Sequence, residues 1–353
     1  MSSRAIESHI NILKTLLAVV VSYSLAAIII LSVSDMPGQA ISAFSMGPFT
    51  TLRRFGNVVE GMIPIIFTGI GVSIMLSVRF FNLAVSGAFF MSAVTSAGIA
   101  LLPMPAGVHP LVGILLGGAT GSAICVLPAL LKVKWGINEV VSALMFNFIA
   151  TFTGSYILRF ILFDPSAGFM ASRVFEDTVR LPLLLQGTRV HLGLVFAALA
   201  VVFAFVFLYR SKWGYAIRMT GMSKSFAVFS GVGVTWAIVS SQLIGGFIVG
   251  IGGATEMYGM FSRFQWTELP TTGFDGVMVA AMARRNPAMV PIAAFFLSYI
   301  RVGADIMARS SDVASEIVVV IQAVIIMMIG ADALLAGLRK RAIMKNSAKE
   351  AEA

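Results

Sequence analysis

Few side chains in this 353-residue sequence could do chemistry, and most of them are polar groups set singly into apolar runs. Asn82, Ser86, Asn147 and Asp275 are the clearest cases. Groups of this kind exchange hydrogen bonds, but they offer no nucleophile beside a base. The three histidines, His9, His109 and His191, lie far apart, and each reads as a boundary or surface residue. Cys125 stands alone in an apolar run, which excludes a disulfide framework and a thiol metal site. No H-E-x-x-H pattern and no G-x-x-x-x-G-K-[ST] phosphate loop is present. The residue inventory therefore points away from catalysis, from a metal or other cofactor, and from ATP binding by that loop.

The second distinctive stretch is Arg210 to Gly231, RSKWGYAIRMTGMSKSFAVFSG, a basic island between two long apolar runs. Arg210, Lys212, Arg218 and Lys224 lie in it without one acidic residue. A connection this long exceeds an ordinary helix–helix turn and predicts a short surface helix, a handle for something in the cytosol. A solvated loop that merely carries the positive charge of the inner membrane face is the plainer reading of the same charges.

Those features must be positioned by membrane-spanning helices. Of the residues, 58% are hydrophobic and 12% charged, and the mean hydropathy is +0.93. Several apolar stretches reach the ~20 residues that a helix needs to cross about 30 Å of hydrocarbon. None alternates as the strands of a membrane barrel do. The expected fold is all-α and polytopic, a single membrane domain over 1–353 with about ten crossings (8–10) and some re-entrant or broken segments. Expected spans are Leu13–Ser34, Val58–Leu76, Asn82–Leu102, Leu111–Leu131, Val140–Phe163, His191–Tyr209, Thr235–Glu256, Pro287–Met307 and Ala314–Leu338. Phe274–Ala283 is too short to span and reads as a half-helix or re-entrant segment buried in protein. Residues 35–57, with Pro37 and Pro48 as breakers and room for a short interfacial helix, and residues 164–190 form outside connections. The run Thr235–Glu256 is the most glycine-rich, and Gly246 and Gly250 have the spacing of a close helix contact.

Every lysine (14, 132, 134, 212, 224, 340, 345 and 349) falls on one side of this arrangement. That side is cytoplasmic, with both termini and the tail 339–353 upon it. The net charge of +9 then needs no nucleic acid; it is a rim facing anionic lipid.

Residues Asn138 to Ala150, NEVVSALMFNFIA, resemble the signature N-E-V-I-S-T-L-M-L-N-Y-I-A of permease subunits of simple-sugar and nucleoside ATP-binding-cassette importers. In that group the binding proteins are basic-membrane-protein-type lipoproteins. GFDGVMVAAMARRNP, Gly273 to Pro287, is similar to the family's G-F-D-G-I-A-V-A-L-L-G-R-x-x-P. Gly221, Ser223, Ala227 and Gly231 follow G-x-N-x-x-A-A-x-x-A-G-I, the segment that docks on the nucleotide-binding subunit. The chain departs from the family at Ser86 and Ala88, where glutamate and glutamine are common, and at Ser223, Phe226 and Ser230.

The resemblance implies a type II-like importer permease of a bacterial plasma membrane. Its partners would be cytosolic ATP-binding subunits, a second permease subunit in a heterodimer, and an extracytoplasmic substrate-binding lipoprotein. Coupling would run through 210–231, with Arg218, Gly221, Ser223, Ala227 and Gly231 at the contact. A nucleoside or simple sugar would cross near the midplane, where the interrupted segments Phe81–Phe89 and Gly273–Ala283 free polar groups to face a cavity. Asn82, Ser86, Asn147 and Asp275 could hold its hydroxyls or a base edge, and Phe89, Phe148 and Phe274 could stack on it, although phenylalanines in such spans mostly face lipid or the core. Asn147 equally fits an interhelical hydrogen bond, and Asp275 a helix N-cap. Glu60 and Glu256, near outer span ends, read as interfacial or binding-protein contacts. An ion-coupled transporter is the alternative; it wants an ionisable residue deep in a span, and Asp305 and Asp332 are the main exceptions to acids lying at span ends. A lipid-modifying enzyme and a passive channel fit less well.

Overall fold

The computed structural model describes residues 34–313 together with 24, 28–32, 320 and 323. Nearly all of the expected spans Leu13–Ser34 and Ala314–Leu338, the tail 339–353 and both termini lie outside the described residues. Among the described residues the chain is helical, with two isolated β-bridges and no strand.

Among the described residues, six helices are long and apolar enough to cross a membrane. They begin with α2 (Leu52–Ser77), which follows a shorter α1 (Pro37–Met46). Next come α4 (Val108–Trp135), α5 (Glu139–Ile157, prolonged by a π-turn over Leu158–Leu162) and α6 (Gly193–Arg210). The last two are α9 (Val234–Met260) and α11 (Val290–Ser310), the latter led in by a tight turn over Pro287–Met289. Two apolar helices fall short: α3 (Val85–Ile99) and α10 (Thr272–Met282). At about 1.5 Å per residue they rise roughly 22 and 16 Å, against the ~30 Å of a bilayer core. The full span expected over Asn82–Leu102 is thus corrected to a short helix that starts late. The half-helix expected at 274–283 is present, displaced by one or two residues. The connection expected over 35–57 contains a short helix, α1, as expected, but it ends earlier, since α2 already begins at Leu52.

Local chemistry sets the helix ends. Gly136, at φ 69°, closes α4 and returns its N–H to the Lys132 carbonyl. Asn138 then opens α5, its side chain accepting from the Val140 and Val141 amides. Lys132 Nζ meets Glu139 Oε2 at 2.9 Å across this turn. Because Lys132, Lys134, Arg210 and Lys212 share one end of these helices, that end is termed the basic end; the opposite end carries the connection 164–190 and is termed the loop end.

The fold forms two compact units, 56–295 and a smaller one made of 1–55 with 296–353. In the larger, α9 is the central element. A Cβ on Gly71 of α2 would stand 2.5 Å from the Gly245 carbonyl oxygen, and one on Gly121 of α4 would stand 2.5 Å from that of Gly246. Gly250 lies equally close to Gly117, and Gly253 to the Phe89 carbonyl of α3. One glycine-rich helix thereby touches three neighbours backbone to backbone.

At the loop end the connection 164–190 is fastened to the last turn of α9 and the chain just beyond it. The amides of Ser172, Phe175 and Leu181 donate to the carbonyls of Phe264, Ser262 and Tyr258 at 2.8, 2.9 and 3.1 Å. Hydrogen bonds from the Ser166 hydroxyl and amide hold the Asp164 carboxyl below the usual carboxylate range. His109 and His191, expected at boundaries or on the surface, are both fully buried. His109 bridges Thr178 Oγ1 at 2.8 Å and the Ile99 carbonyl at 2.9 Å. A polar residue at a span end can face inward wherever a neighbouring loop offers it partners.

In the smaller unit Gly303 packs on the Phe44 backbone and Gly47 on Ile306. Asp312 receives the Ser34 hydroxyl and the Asp35 amide, each at 2.6 Å.

The glycine contacts yield a sharp contrast between two substitutions. Gly250→Val would drive methyl groups into the Gly117 and Gly118 backbone, and overpacking against backbone that cannot retreat costs a few kcal/mol or more. Detergent-solubilised Gly250→Val should lose its monodisperse peak and its thermal transition. Gly98→Ala, with open space at its Cβ, should leave both unchanged.

Candidate functional site

The chain leaves α2 at Ser77, passes Arg79 at φ 57°, and does not resume helix until Val85. No side chain at Ala84 caps α3, so its first amides need partners from elsewhere. Asparagines supply them. Asn82 Oδ1 accepts from the Ala84 amide at 3.0 Å, and Asn147 Oδ1 of α5 accepts from the Gly87 amide at 2.9 Å. Asn147 Nδ2 donates in turn to the Leu83 carbonyl at 3.0 Å. Asn82 Nδ2 donates to the Cys125 carbonyl of α4 at 2.8 Å and to Gln242 Oε1 of α9 at 2.9 Å. Both asparagines are buried. The break in the helix is therefore held by carboxamides from α5 and α9, and the interhelical hydrogen bond is the arrangement found for Asn147.

The second interruption arrives at the same place. Gly273, in the first turn of α10, packs on the backbone and Oγ of Ser86 at the start of α3. Ser86 is buried and its Oγ has no hydrogen-bond partner. Asp275 is also buried, in the first turn of α10 and not at its N-cap, which is Thr271. The N-cap reading is corrected accordingly: the helix begins earlier than the sequence indicated, and a carboxylate one turn inside still favours the positive helix end. Thr271 Oγ1 lies 3.4 Å from Asp275 Oδ2. Gly276 seats α10 on Thr68 of α2.

Asn82, Ser86, Asn147 and Asp275 are thus brought to one cluster where two short helices begin. The aromatic residues are not gathered with them. Phe89 is buried and stacks on Trp266 at 5.9 Å. Phe148 is 57% exposed and Phe274 42% exposed. In α5 the next residue after Asn147 points about 100° away around the helix, which turns Phe148 outward. Gln242 is the member that sequence reasoning missed. Its signal was an uncharged amide inside the apolar run that precedes Gly245 and Gly246.

The basic island forms two helices, α7 (Lys212–Met222) and α8 (Lys224–Phe229), where one was expected. Ser211 caps α7 through the Gly214 amide, and Ser223 caps α8 through the Phe226 amide. Gly221 lies against the Ser77 carbonyl at the end of α2, leaving no space for a side chain. Arg218 stands 4.9 Å over the Tyr209 ring. Ala227 is fully buried, whereas Phe229 is 90% exposed, with Met222 and Phe226 exposed beside it. Gly231, at φ 75°, ends α8: its amide returns to Val228 and that of Val232 to Ala227.

Residues 55–330 match the family described as the permease component of the branched-chain amino acid transport system. The chain is a member of that permease family. The permease is 28% identical over 326 residues to the guanosine ABC transporter permease protein NupP of Bacillus subtilis, covering 90% of this chain and 93% of the relative. It is 26% identical over 331 residues to the glucose ABC transporter permease protein TsgB13 of Haloferax volcanii, covering 87% of each. It is 25% identical over 333 residues to the nucleoside ABC transporter permease protein NupB of Lactococcus lactis, covering 90% of each. No solved structure matches it. Membership favours the ABC permease over an ion-coupled transporter, and the six long apolar helices make the permease a multi-pass membrane protein.

The carboxamide cover of the break is directly testable. Asn147→Ala would strand the Gly87 amide and the Leu83 carbonyl in a buried site, at about 1–3 kcal/mol for each group. The thermal transition of the purified permease should fall by several degrees. Phe148→Ala, at an exposed position on the same helix, should move it little.

Proposed function

We propose that the permease is the membrane subunit of an ATP-driven importer of the type II-like class and provides the path for a nucleoside or simple sugar. Two of the relatives described above are named for nucleosides or guanosine and one for glucose, which puts a nucleoside first. An extracytoplasmic binding lipoprotein delivers the solute, a second permease completes a heterodimeric core, and cytosolic subunits hydrolyse ATP. The basic end is the cytoplasmic side of a bacterial plasma membrane, and both termini and the tail 339–353 lie there.

The observation that carries this reading is the build of α7 and α8. Gly221 and Ala227 bury one side of the pair, and Met222, Phe226 and Phe229 leave an apolar surface exposed at the basic end. An apolar side chain as exposed as Phe229 beside lysines is the signature of a docking contact. The ATPase subunit grips this surface, and Gly221 against Ser77 passes its movement to α2 and so to the interruption between α2 and α3. Arg218, Ser223 and Gly231 fix the orientation of the two helices. At the interruption Ser86 Oγ and the exposed ring of Phe274 meet the solute once α10 parts from α3. Asn82, Asn147 and Asp275 hold that junction, and Phe89 supports it from below. Phe148 lines the side of α5 that faces lipid or the second permease.

The test is ATP hydrolysis by the co-purified complex across a panel of nucleosides and sugars delivered by the binding protein. Wild type should respond to one class of solute. Phe229→Ser should lower recovery of the ATPase subunit while the permease keeps its thermal stability. Gly221→Val and Ala227→Trp should abolish solute-stimulated hydrolysis in complexes that still assemble. Full stimulation in Gly221→Val, or uptake by the permease without ATPase subunits, would overturn the reading.

A further inference from the structure

At the basic end, where α7 meets the start of α9, an open cleft of about 280 Å³ is lined by Lys212, Trp213, Ala216 and Trp236. Ala216 follows Trp213 by three residues and Lys212 by four, so the three share one face of α7. Trp236 comes from the first turn of α9, and the two indole rings touch with centroids 4.2 Å apart. Both rings are partly exposed, and Lys212 Nζ stands 5.7 Å from the centre of the Trp213 ring.

The polar side-chain groups that line this cleft are all donors. Lys212 Nζ and the two indole N–H groups have no hydrogen-bond acceptor among the described residues, and Lys212 is in no ion pair there. Between Asp177 and Glu256 the sequence holds no acidic residue. Donors around one ammonium select an anionic group rich in acceptors. They repel a cation, offer no carboxylate to the ammonium of a zwitterion, and leave the hydroxyl hydrogens of a sugar without a side-chain partner. Tryptophans beside a lysine at a helix end mark the level where lipid headgroups begin. From there toward the bilayer centre the face of α9 that starts at Trp236 continues through Val239 and Leu243, and Leu243 is exposed. The cleft thus joins a cationic mouth to an apolar strip. Met222, on the surface assigned above to the ATPase subunit, lies ten residues beyond Lys212, about 15 Å farther along α7.

We propose that this cleft is a binding site for one anionic phospholipid. Its phosphate meets Lys212, its glycerol esters lie against Trp213 and Trp236, and one chain follows Val239 and Leu243. The test is tryptophan fluorescence of the full-length permease in phosphatidylcholine bilayers doped with a lipid brominated near the ester end of its chains. In one set the bromines are carried by phosphatidylglycerol, in the other by phosphatidylcholine, at equal fractions. Phosphatidylglycerol should quench about threefold more strongly, as one lysine at an anionic headgroup allows. Lys212→Gln should lose this excess with its thermal transition unmoved, whereas Lys134→Gln, at the end of α4, should keep it. Trp213→Phe/Trp236→Phe should also lose it; if that variant folds poorly, Trp236→Phe alone carries this arm. Soluble glycerol phosphate, which has no chain to lay on α9, should not compete. Equal quenching by the two lipids, an equal loss in Lys134→Gln, or an excess that survives removal of the tryptophans overturns the site. Competition by glycerol phosphate makes it a site for soluble phosphate, and an excess that vanishes once ATPase subunits are bound gives the cleft to them; either result overturns the lipid.

Discussion

Backbone contact between helices, made possible by the absence of side chains on one face of α9, is the constraint on which the rest of the larger unit depends. In a bilayer, burying leucine against leucine gains little, because lipid tails are equally apolar; dispersion contacts and hydrogen bonds must hold the bundle. Gly245, Gly246, Gly250 and Gly253 let α2, α4 and α3 approach until main-chain atoms touch. Only at that distance can the Asn82 amide on the chain between α2 and α3 reach both the Cys125 carbonyl on α4 and Gln242 on α9. The glycine face is thus the condition for the polar cluster.

The polar cluster, for its part, makes the interrupted helix affordable. A helix that begins inside a membrane exposes amides that water cannot reach. Asn82 and Asn147 meet that demand from neighbouring elements, so the break is as well satisfied as continuous helix would be. A break secured by side chains can open when those side chains move, which continuous helix cannot do. This separates the role of the asparagines from that of Ser86, whose hydroxyl has no such partner.

Much of this was legible in the sequence because membrane proteins obey strong one-dimensional rules. Apolar length located α2, α4, α5, α6, α9 and α11, and the shortness of Phe274–Ala283 marked α10 as a half-helix. The glycine spacing of α9 announced a close contact, and its partners on α2 and α4 emerged only in three dimensions. Burial of His109 and His191 was illegible, since it depends on the connection 164–190 folding back over the helix ends. Which side Phe148 and Phe274 face could not be read from the sequence, because a phenylalanine in a span carries no mark of it.

The π-turn over Leu158–Leu162 holds one more residue than an α-helical path of the same rise. An insertion of that kind rotates everything after it by about a quarter-circle, so Leu158 and Leu162 meet the core while Phe160 and Ile161 are exposed. The chain therefore enters Phe163 aimed at Ser172, with which it pairs. A straightened helix would deliver the start of the 164–190 connection to a different side of α5. One surplus residue thus acts as the angular setting for the whole covering at that end.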